Sequence, residues 1–281
     1  MLLLKLRGGL GNQLFQYAAG RALSLRYGIK MTMDISDCHN TYRNSPENPS
    51  TYALGAFNIA KNVADVNGTH GISLPLYFLS KIVRKFLGEE TYYNIPFLSC
   101  RYLDGYWQSE KYFCDFRLAI QNEIKLKNEE SECYKNILSE IGSIQSPISL
   151  HIRRGDYEHD PIIKKILSCC TMSYYDQAIK FVTRDLTGVK FFIFSDDINW
   201  VKENFKINFP VFYVTGNNIT NYEEMILMSK CKHNIIANSS FSWWGAWLNE
   251  NPGKIVVAPK KWFNNPKADQ KDIIPESWIK I

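Results

Sequence analysis

Apolar and polar positions along the chain switch repeatedly between a two-residue and a four-residue rhythm. Leu2 to Leu6 is a short apolar run of strand type. Gln13 to Tyr27 carries two interleaved series, Leu14/Ala18/Ala22 and Phe15/Ala19/Leu23, that line one side of a helix, and Ile29 to Ile35 returns to a strand pattern. Arg7-Gly-Gly-Leu-Gly-Asn12 between the first strand and the helix is a glycine turn, so this stretch reads as a β-α-β unit. Residues 38–75 lose the periodicity and form a polar excursion. Leu74 to Leu87 suits an amphipathic helix bearing Lys81, Arg84 and Lys85, either docked on the surface or lying at a membrane surface. Leu103 to Phe113 leads from a strand end into a helix with Ser109 as its cap.

The charged stretch Lys125–Glu132 and the turn-rich Gly142–Pro147 suggest a domain boundary, giving domains 1–142 and 143–281. Beyond it the alternation is regular. Strands are expected over 148–152, 190–194, 211–214, 234–237 and 255–258. Helices are expected from Ser173, where Ser173 and Asp176 approximate a capping box, and over 199–205, 221–231 and 241–249. The third of these follows the capping box Thr220-x-x-Glu223. Five strands joined by helices give a doubly wound parallel sheet.

With 281 residues, 45% hydrophobic and 22% charged, the chain has ordinary globular composition and room for two domains. A net charge of +5 suits an anionic substrate and is too scattered to argue for nucleic acid. Seven cysteines without a C-x-x-C pair fit a reduced cytoplasmic setting, and Cys169 and Cys170 read as small apolar fillers. No run approaches a membrane span, and Met1-Leu-Leu-Leu-Lys5 is too short for a signal-peptide core.

The candidate chemistry gathers where strands end. Each expected strand of the second half exits into polar or small residues: Arg153-Arg154-Gly155-Asp156, Ser195-Asp196-Asp197, Thr215-Gly216-Asn217, Asn238-Ser239-Ser240 and Pro259-Lys260. Open α/β sheets bind ligands outside the carboxyl ends of their strands. Two adjacent guanidiniums suit a diphosphate; the bland alternative is an exposed loop whose arginines pair only with Asp156 and Glu158. Ser239 and Ser240, at a helix start, can receive phosphate oxygens or merely cap. Of Asp196 and Asp197, one can accept from the N1–H and amino group of a guanine while the other caps the following helix; as a metal site the pair is poor. Gly8, Gly9 and Gly11 lack dinucleotide-fingerprint spacing and leave only a turn that a ligand can approach closely.

Together, Gly8-Gly-Leu-Gly-Asn-Gln-Leu-Phe-Gln-Tyr-Ala-Ala19, Gly105–Phe113, His151-Ile-Arg-Arg-Gly-Asp156, Phe194-Ser-Asp-Asp197 and Asn238-Ser-Ser-Phe-Ser-Trp-Trp-Gly-Ala-Trp247 resemble the bacterial α-1,2-fucosyltransferases of glycosyltransferase family 11. The resemblance implies an α/β, GT-B-type fold: two Rossmann-like doubly wound domains facing a cleft, the first on the acceptor side and the second binding GDP-fucose. It implies inverting transfer of L-fucose from GDP-β-L-fucose to the 2-hydroxyl of a terminal galactoside, in O-antigen or capsule synthesis, with neither metal nor cofactor. Carried over by position, Arg153 and Arg154 hold the pyrophosphate. His151 lies near the guanine or ribose, and Asp196 or Asp197, beside Ser195, reads guanine. Asn238, Ser239, Ser240 and Phe241 form the loop over the nucleotide, and Gly9, Asn12 and Gln13 face the donor.

Asp156 is the candidate general base, or a group that orients the arginines. Tyr92, Tyr93, Tyr106 and Trp107 are available to stack on acceptor sugars, though each also suits a core. The expected acceptor is an oligosaccharide or lipid-linked glycan, the setting cytoplasmic, with a peripheral contact at the inner membrane face left open. Transfer to another sugar hydroxyl or to protein, and a GDP-binding module without turnover, remain as alternatives.

Overall fold

The computed structural model describes residues 2–38, 51–59, 102–127, 130–265, 268 and 270–281. The expected helix over 74–87, most of the 38–75 excursion, and Tyr92 and Tyr93 lie outside them. The chain divides into two compact units, Met1–Lys127 and Asn128–Ile281.

In the first unit β1 (Leu2–Lys5) lies between β2 (Met31–Asp34) and β3 (Tyr102–Leu103), all three parallel. Helix α1 (Leu10–Tyr27) crosses over from β1 to β2, and both of its four-residue series are buried. It starts three residues earlier than the sequence suggests, because Gly8 at φ 76° completes the turn and extended Gly9 becomes the cap. Gly28, at φ 61°, closes the helix with its N–H on Leu25 and Ser24 carbonyls. Gly20 lets α1 press onto the sheet: a Cβ there would lie 2.9 Å from the Met31 sulfur. Helix α2 (Arg117–Glu123) is strapped to α1 by Glu123, which accepts from Tyr17 Oη at 2.6 Å and from Arg21 Nη2 at 2.7 Å.

The second unit opens with α3 (Glu132–Ser143), which lies, all but Ser143, on the first-domain side of the boundary expected at 142/143. The division falls after Lys127 because α3 buries Tyr134, Ile137 and Ile141 within the second unit. In addition, the carboxylate of Glu223, in the same unit, accepts from the Ser131 N–H at 2.9 Å. A six-stranded parallel sheet follows, in the order β6-β5-β4-β7-β8-β9. Its strands are β4 (Ser146–Ile152), β5 (Val189–Ser195), β6 (Val211–Tyr213), β7 (His233–Ile235), β8 (Val256–Ala258) and β9 (Ile279–Lys280).

Between β4 and β5 the chain forms α4 (Gly155–His159), α5 (Pro161–Ile166) and α6 (Met172–Thr183). No helix is expected from the sequence between Asp156 and Ser173, yet Asp160 caps α5 through the N–H groups of Ile162 and Ile163, and Pro161 takes the first helical position. Helix α6 is capped by Thr171, which accepts from the Tyr174 N–H; Ser173, proposed as the cap, lies inside the helix and accepts from Gln177. Helix α7 (Ile198–Asn204) precedes β6. Helix α8 (Asn221–Lys230) has the expected reciprocal capping box of Thr220 and Glu223. Helix α9 (Ser240–Trp247) packs against α8 so closely that a Cβ on Gly245 would lie 2.7 Å from Met228 Cβ.

The chain winds outward from β4 through β5 to β6, then returns to the other side of β4 for β7, β8 and β9. This is the strand order of a dinucleotide-binding fold, and it reverses between β4 and β7. The core beneath that point contains Ile148, Leu150, Ile152, Phe191 and Ile193, with Trp243, Trp244 and Trp247 of α9 fully buried.

Candidate active site

A parallel strand delivers the residue after its last hydrogen bond to one edge, and at the reversal between β4 and β7 that edge carries the arginines on one side and Asn238–Ser240 on the other. Arg153 is held between two acids. Its Nη2 lies 2.6 Å from Asp156 Oδ1, its Nη1 lies 3.1 Å from Asp196 Oδ2, and its guanidinium sits 5.3 Å from the Tyr157 ring. Burial opposes the charge on Arg153; Asp196 and Asp156 more than offset it, and its pKa stands above the ordinary arginine value. Its Nε is buried with no hydrogen-bond partner among the described residues.

Arg154 is held differently. Its guanidinium stacks 3.5 Å over the Trp200 ring, and its Nε meets Asp197 Oδ2 at 3.2 Å. Its backbone N–H donates to Asp196 Oδ1 at 2.9 Å. Both terminal nitrogens are left without a hydrogen bond or ion pair among the described residues, so a fork of donors is fixed in place with its acceptor positions open. The alternative that both arginines merely pair with Asp156 and Glu158 holds for Arg153 and Asp156 alone; Glu158 instead meets Lys164 at 2.9 Å.

Gly155 is required here: a Cβ would collide with the Asp196 carboxylate, which braces both arginines. Asp197 also caps α7 by accepting from the Trp200 N–H, and its own N–H donates to Ser195 Oγ at 3.1 Å. Asp196 and Asp197, one of which was expected to read guanine and the other to cap the helix, are both engaged with the arginines, and Asp197 is the cap.

His151, on β4, is buried beside Phe241, with ring centroids 5.7 Å apart. Burial first and the charge of Arg153 second lower its pKa to about 3, so the imidazole is neutral, and its Nδ1 has no partner among the described residues. Ser239 caps α9 by accepting from the Phe241 N–H, with Ser240 and Phe241 half-exposed in the first turn. Asn238 is a joint: its amide donates to the Ser168 and Trp262 carbonyls at 3.1 and 3.0 Å, and its oxygen accepts from the Cys170 thiol. Burial pushes the thiols of Cys169 and Cys170 up to about 11. Tyr157 donates to the Asn238 carbonyl at 3.0 Å.

Three residues at this edge escape a reading of the sequence: Trp200, Tyr157 and Glu224. Glu224 lies in the first turn of α8, one helix over from the start of α9. Burial raises its pKa to about 7, against a hydrogen bond from Thr215. Thr215 Oγ1 in turn accepts from the Ser195 N–H at the end of β5, at 3.2 Å. Among the described residues no three His, Cys, Asp or Glu side chains are grouped to hold a metal ion, and no helix is long and apolar enough to cross a membrane.

The first unit has its own polar edge. Gln13 is a bolt, donating to the Gly8 and Thr51 carbonyls at 2.7 Å each and accepting from Ala53 N–H. Asn12 Oδ1 accepts from Gln108 Nε2 at 2.8 Å, and Gly9 has open space where a Cβ would be. Tyr106 is exposed, and Trp107, at φ 53°, folds its indole back over Gly105. Ser109 caps a single 3-10 turn, Glu110–Tyr112, in place of the expected helix.

The profile of Glycosyl transferase family 11 matches residues 1–281. An α-1,2-colitosyltransferase of Escherichia coli is 33% identical, covering 99% of this chain and 97% of the relative. The O-antigen biosynthesis glycosyltransferase WbnK of Escherichia coli is 34% identical, covering 98% and 99%. Among solved structures, NodZ α-1,6-fucosyltransferase co-crystallised with GDP matches with a TM-score of 0.54 at 18% identity, over 86% of this chain and 90% of that one. This last match concerns the fold, the GT-B-type α/β architecture with parallel sheets, and agrees with the two units described above. The full-length match and both full-length relatives establish that the chain belongs to glycosyl transferase family 11.

Proposed function

We propose that the protein transfers L-fucose from GDP-β-L-fucose, with inversion, to the 2-hydroxyl of a terminal galactoside in O-antigen or capsule assembly. The observation that carries this reading is Arg154, clamped between Trp200 and Asp197 with its terminal donors open at the strand-order reversal. The α-1,2 linkage and the O-antigen setting are supported by the names of the two relatives, and the guanosine diphosphate by the ligand of NodZ.

In this reading the bond from the anomeric carbon to the diphosphate breaks while the sugar becomes oxocarbenium-like. Negative charge grows on the leaving diphosphate, where Arg154, the α9 N-terminus and the Ser240 hydroxyl meet it. Asp156 orients Arg153, given their 2.6 Å contact, and the acceptor proton leaves late, to water or to the departing phosphate. With Asp196 and Asp197 committed to the arginines, Glu224 reads the guanine N1–H and amino group. His151, neutral, and Phe241 pack the nucleoside. Metal plays no part in the proposed reaction.

Colitose as the donor sugar is the second reading, favoured by the colitosyltransferase relative. Incubating the protein with GDP-fucose or GDP-colitose and a series of β-galactosides, with and without EDTA, separates the readings. An EDTA-insensitive α-1,2-fucoside, identified by NMR, is the expected product. Transfer from GDP-colitose alone selects the second reading, and GDP binding without transfer on any acceptor overturns both.

A further inference from the structure

Unit one has a strand-order reversal of its own. Its chain leaves β1 for β2 on one side and comes back on the other as β3, so the carboxyl ends of β1 and β3 are where a crevice is expected in an open α/β sheet. In the register Leu4↔Leu103, Arg7 and Asp104 through Tyr106 emerge together from that point. Arg7 Nη1 lies 3.3 Å from Asp104 Oδ1, and the Arg7 guanidinium covers one face of the Tyr106 ring at 4.8 Å. Tyr106 is nonetheless 44% exposed, leaving the rest of its ring to solvent.

The turn that presents this ring is braced at several points. Trp107 occupies the left-handed region at φ 53°, uncommon for any residue but glycine. Its indole lies over Gly105, where a Cβ would come within 3.0 Å, and meets Tyr112 edge-on at 5.4 Å. Gln108 ties the turn to Asn12 of α1, and the Trp107 carbonyl accepts from the Ser109 N–H at 2.8 Å. A backbone held in an unfavoured region by its surroundings, offering an exposed aromatic ring beside a guanidinium–carboxylate pair, is a preorganised recognition surface.

We infer that Arg7, Asp104 and Tyr106 bind the terminal hexopyranoside of the acceptor. The open part of the Tyr106 ring stacks on an apolar C–H face of the sugar, and Arg7 as donor and Asp104 as acceptor bracket neighbouring hydroxyls. A sugar hydroxyl both donates and accepts, so a fixed donor–acceptor pair matches two adjacent ones better than either charge alone. A galactoside suits the ring best: its axial 4-hydroxyl leaves the C–H groups at C3, C4 and C5 together on the opposite face. The inference rests on the galactoside reading proposed above and adds the group that selects it.

The test uses the full-length protein with methyl β-D-galactopyranoside and methyl β-D-glucopyranoside, observed by saturation-transfer-difference NMR, alongside acceptor and GDP-donor kinetics. Tyr106→Ala and Arg7→Met should lose the galactoside signal. Their acceptor KM should rise about tenfold or more, the size of one lost aromatic or hydrogen-bonding contact, with donor KM changed less than about twofold. Tyr106→Trp, which keeps a stacking ring, should retain both signal and KM and controls for folding. Acceptor KM within about twofold of wild type in both loss variants, or equal signals from galactoside and glucoside, overturns the inference while leaving the transferase reading intact. A wild-type protein that transfers neither sugar but still loses galactoside binding in Tyr106→Ala overturns the transferase reading and upholds this site.

Discussion

Both sheets reverse their strand order, and the two reversal points carry opposite chemistry. In the second unit the edge is ionic: Arg153 and Arg154 are held by Asp156, Asp196 and Asp197. In the first it is aromatic, with one guanidinium–carboxylate pair set against Tyr106. Under the proposed assignments, an anion for the second edge and a neutral sugar for the first, the difference matches what each kind of ligand demands. An anion needs fixed positive charge, and a guanidinium left to itself samples many rotamers; carboxylates behind it restrict them at the cost of neutralising part of its field. A neutral sugar offers no net charge to attract, so its recognition depends on shape, stacking and paired polar groups.

The contrast is broken most directly at Arg154. Arg154→Ala should lower turnover about 100-fold or more, the effect of removing a donor aimed at developing charge, about 2.7–4 kcal/mol. Arg154→Lys should restore little, because an ammonium cannot reproduce a stacked fork. Turnover near wild type in the alanine variant would remove the ionic edge from the reaction.

A matched pair of glycine substitutions sharpens it. Gly155→Ala drives a methyl into the Asp196 carboxylate and should weaken GDP binding about tenfold or more by calorimetry. Gly105→Ala meets only the indole of Trp107, 3.0 Å away, and should raise acceptor KM about two- to fivefold with GDP affinity unchanged. If both variants alter the same kinetic constant, the edges do not serve different substrates.

Glu224 supplies a pH signature. In the proposed role both oxygens of the ionised Glu224 carboxylate accept, one from the guanine N1–H and one from its amino group, and burial raises the pKa of this group to about 7. GDP affinity should therefore rise as pH increases from 6 to 8, by up to about tenfold per unit below the pKa. Glu224→Gln should bind GDP with no such dependence over that range. A flat profile in the wild type refutes the assignment.

The smallest expected effect lies away from both edges. Glu123→Ala unties α2 from Tyr17 and Arg21 and should cost about 1–3 kcal/mol of stability, read as a lower Tm, with acceptor and GDP constants unchanged at temperatures where the protein stays folded. A change in either constant would extend the site into the α1–α2 strap.

Much of this arrangement is legible in the residue pattern, and the part that is not has identifiable causes. The Thr220–Glu223 capping box and the buried faces of α1 are local signals that tertiary structure leaves untouched. The alternation of strands and helices carries the parallel topology, and with it the edge where the polar residues collect. Strand β9, only Ile279–Lys280, is too short to show a period. Helix α5 was announced by Asp160-Pro161, a cap followed by proline, but a six-residue helix with exposed Ile162 and Ile166 shows no buried face. Glu224 is invisible in sequence because its altered acidity comes from burial, and the Arg154–Trp200 stack because it joins residues of different elements. The expectation that Asp196 or Asp197 reads guanine came from position alone; the carboxylates lie at the expected strand end, and the contacts they make there are to Arg153 and Arg154, a pairing between loops that spacing does not display.

One side chain on β4 sets a limit for the whole second unit. His151 stays neutral in the fold down to about pH 3, whereas an unfolded histidine takes up its proton near 6.5. Between those values the unfolded chain holds the extra proton, so the contribution of His151 to stability is complete above pH 6.5 and is withdrawn as acidity increases towards 3. Mild acid should thus loosen the strand that carries the arginines without touching their charge. Such an enzyme would be lost on an acidic elution column or in an acidified compartment by loosening of its arginine-bearing strand, and neutralisation soon after exposure should return it.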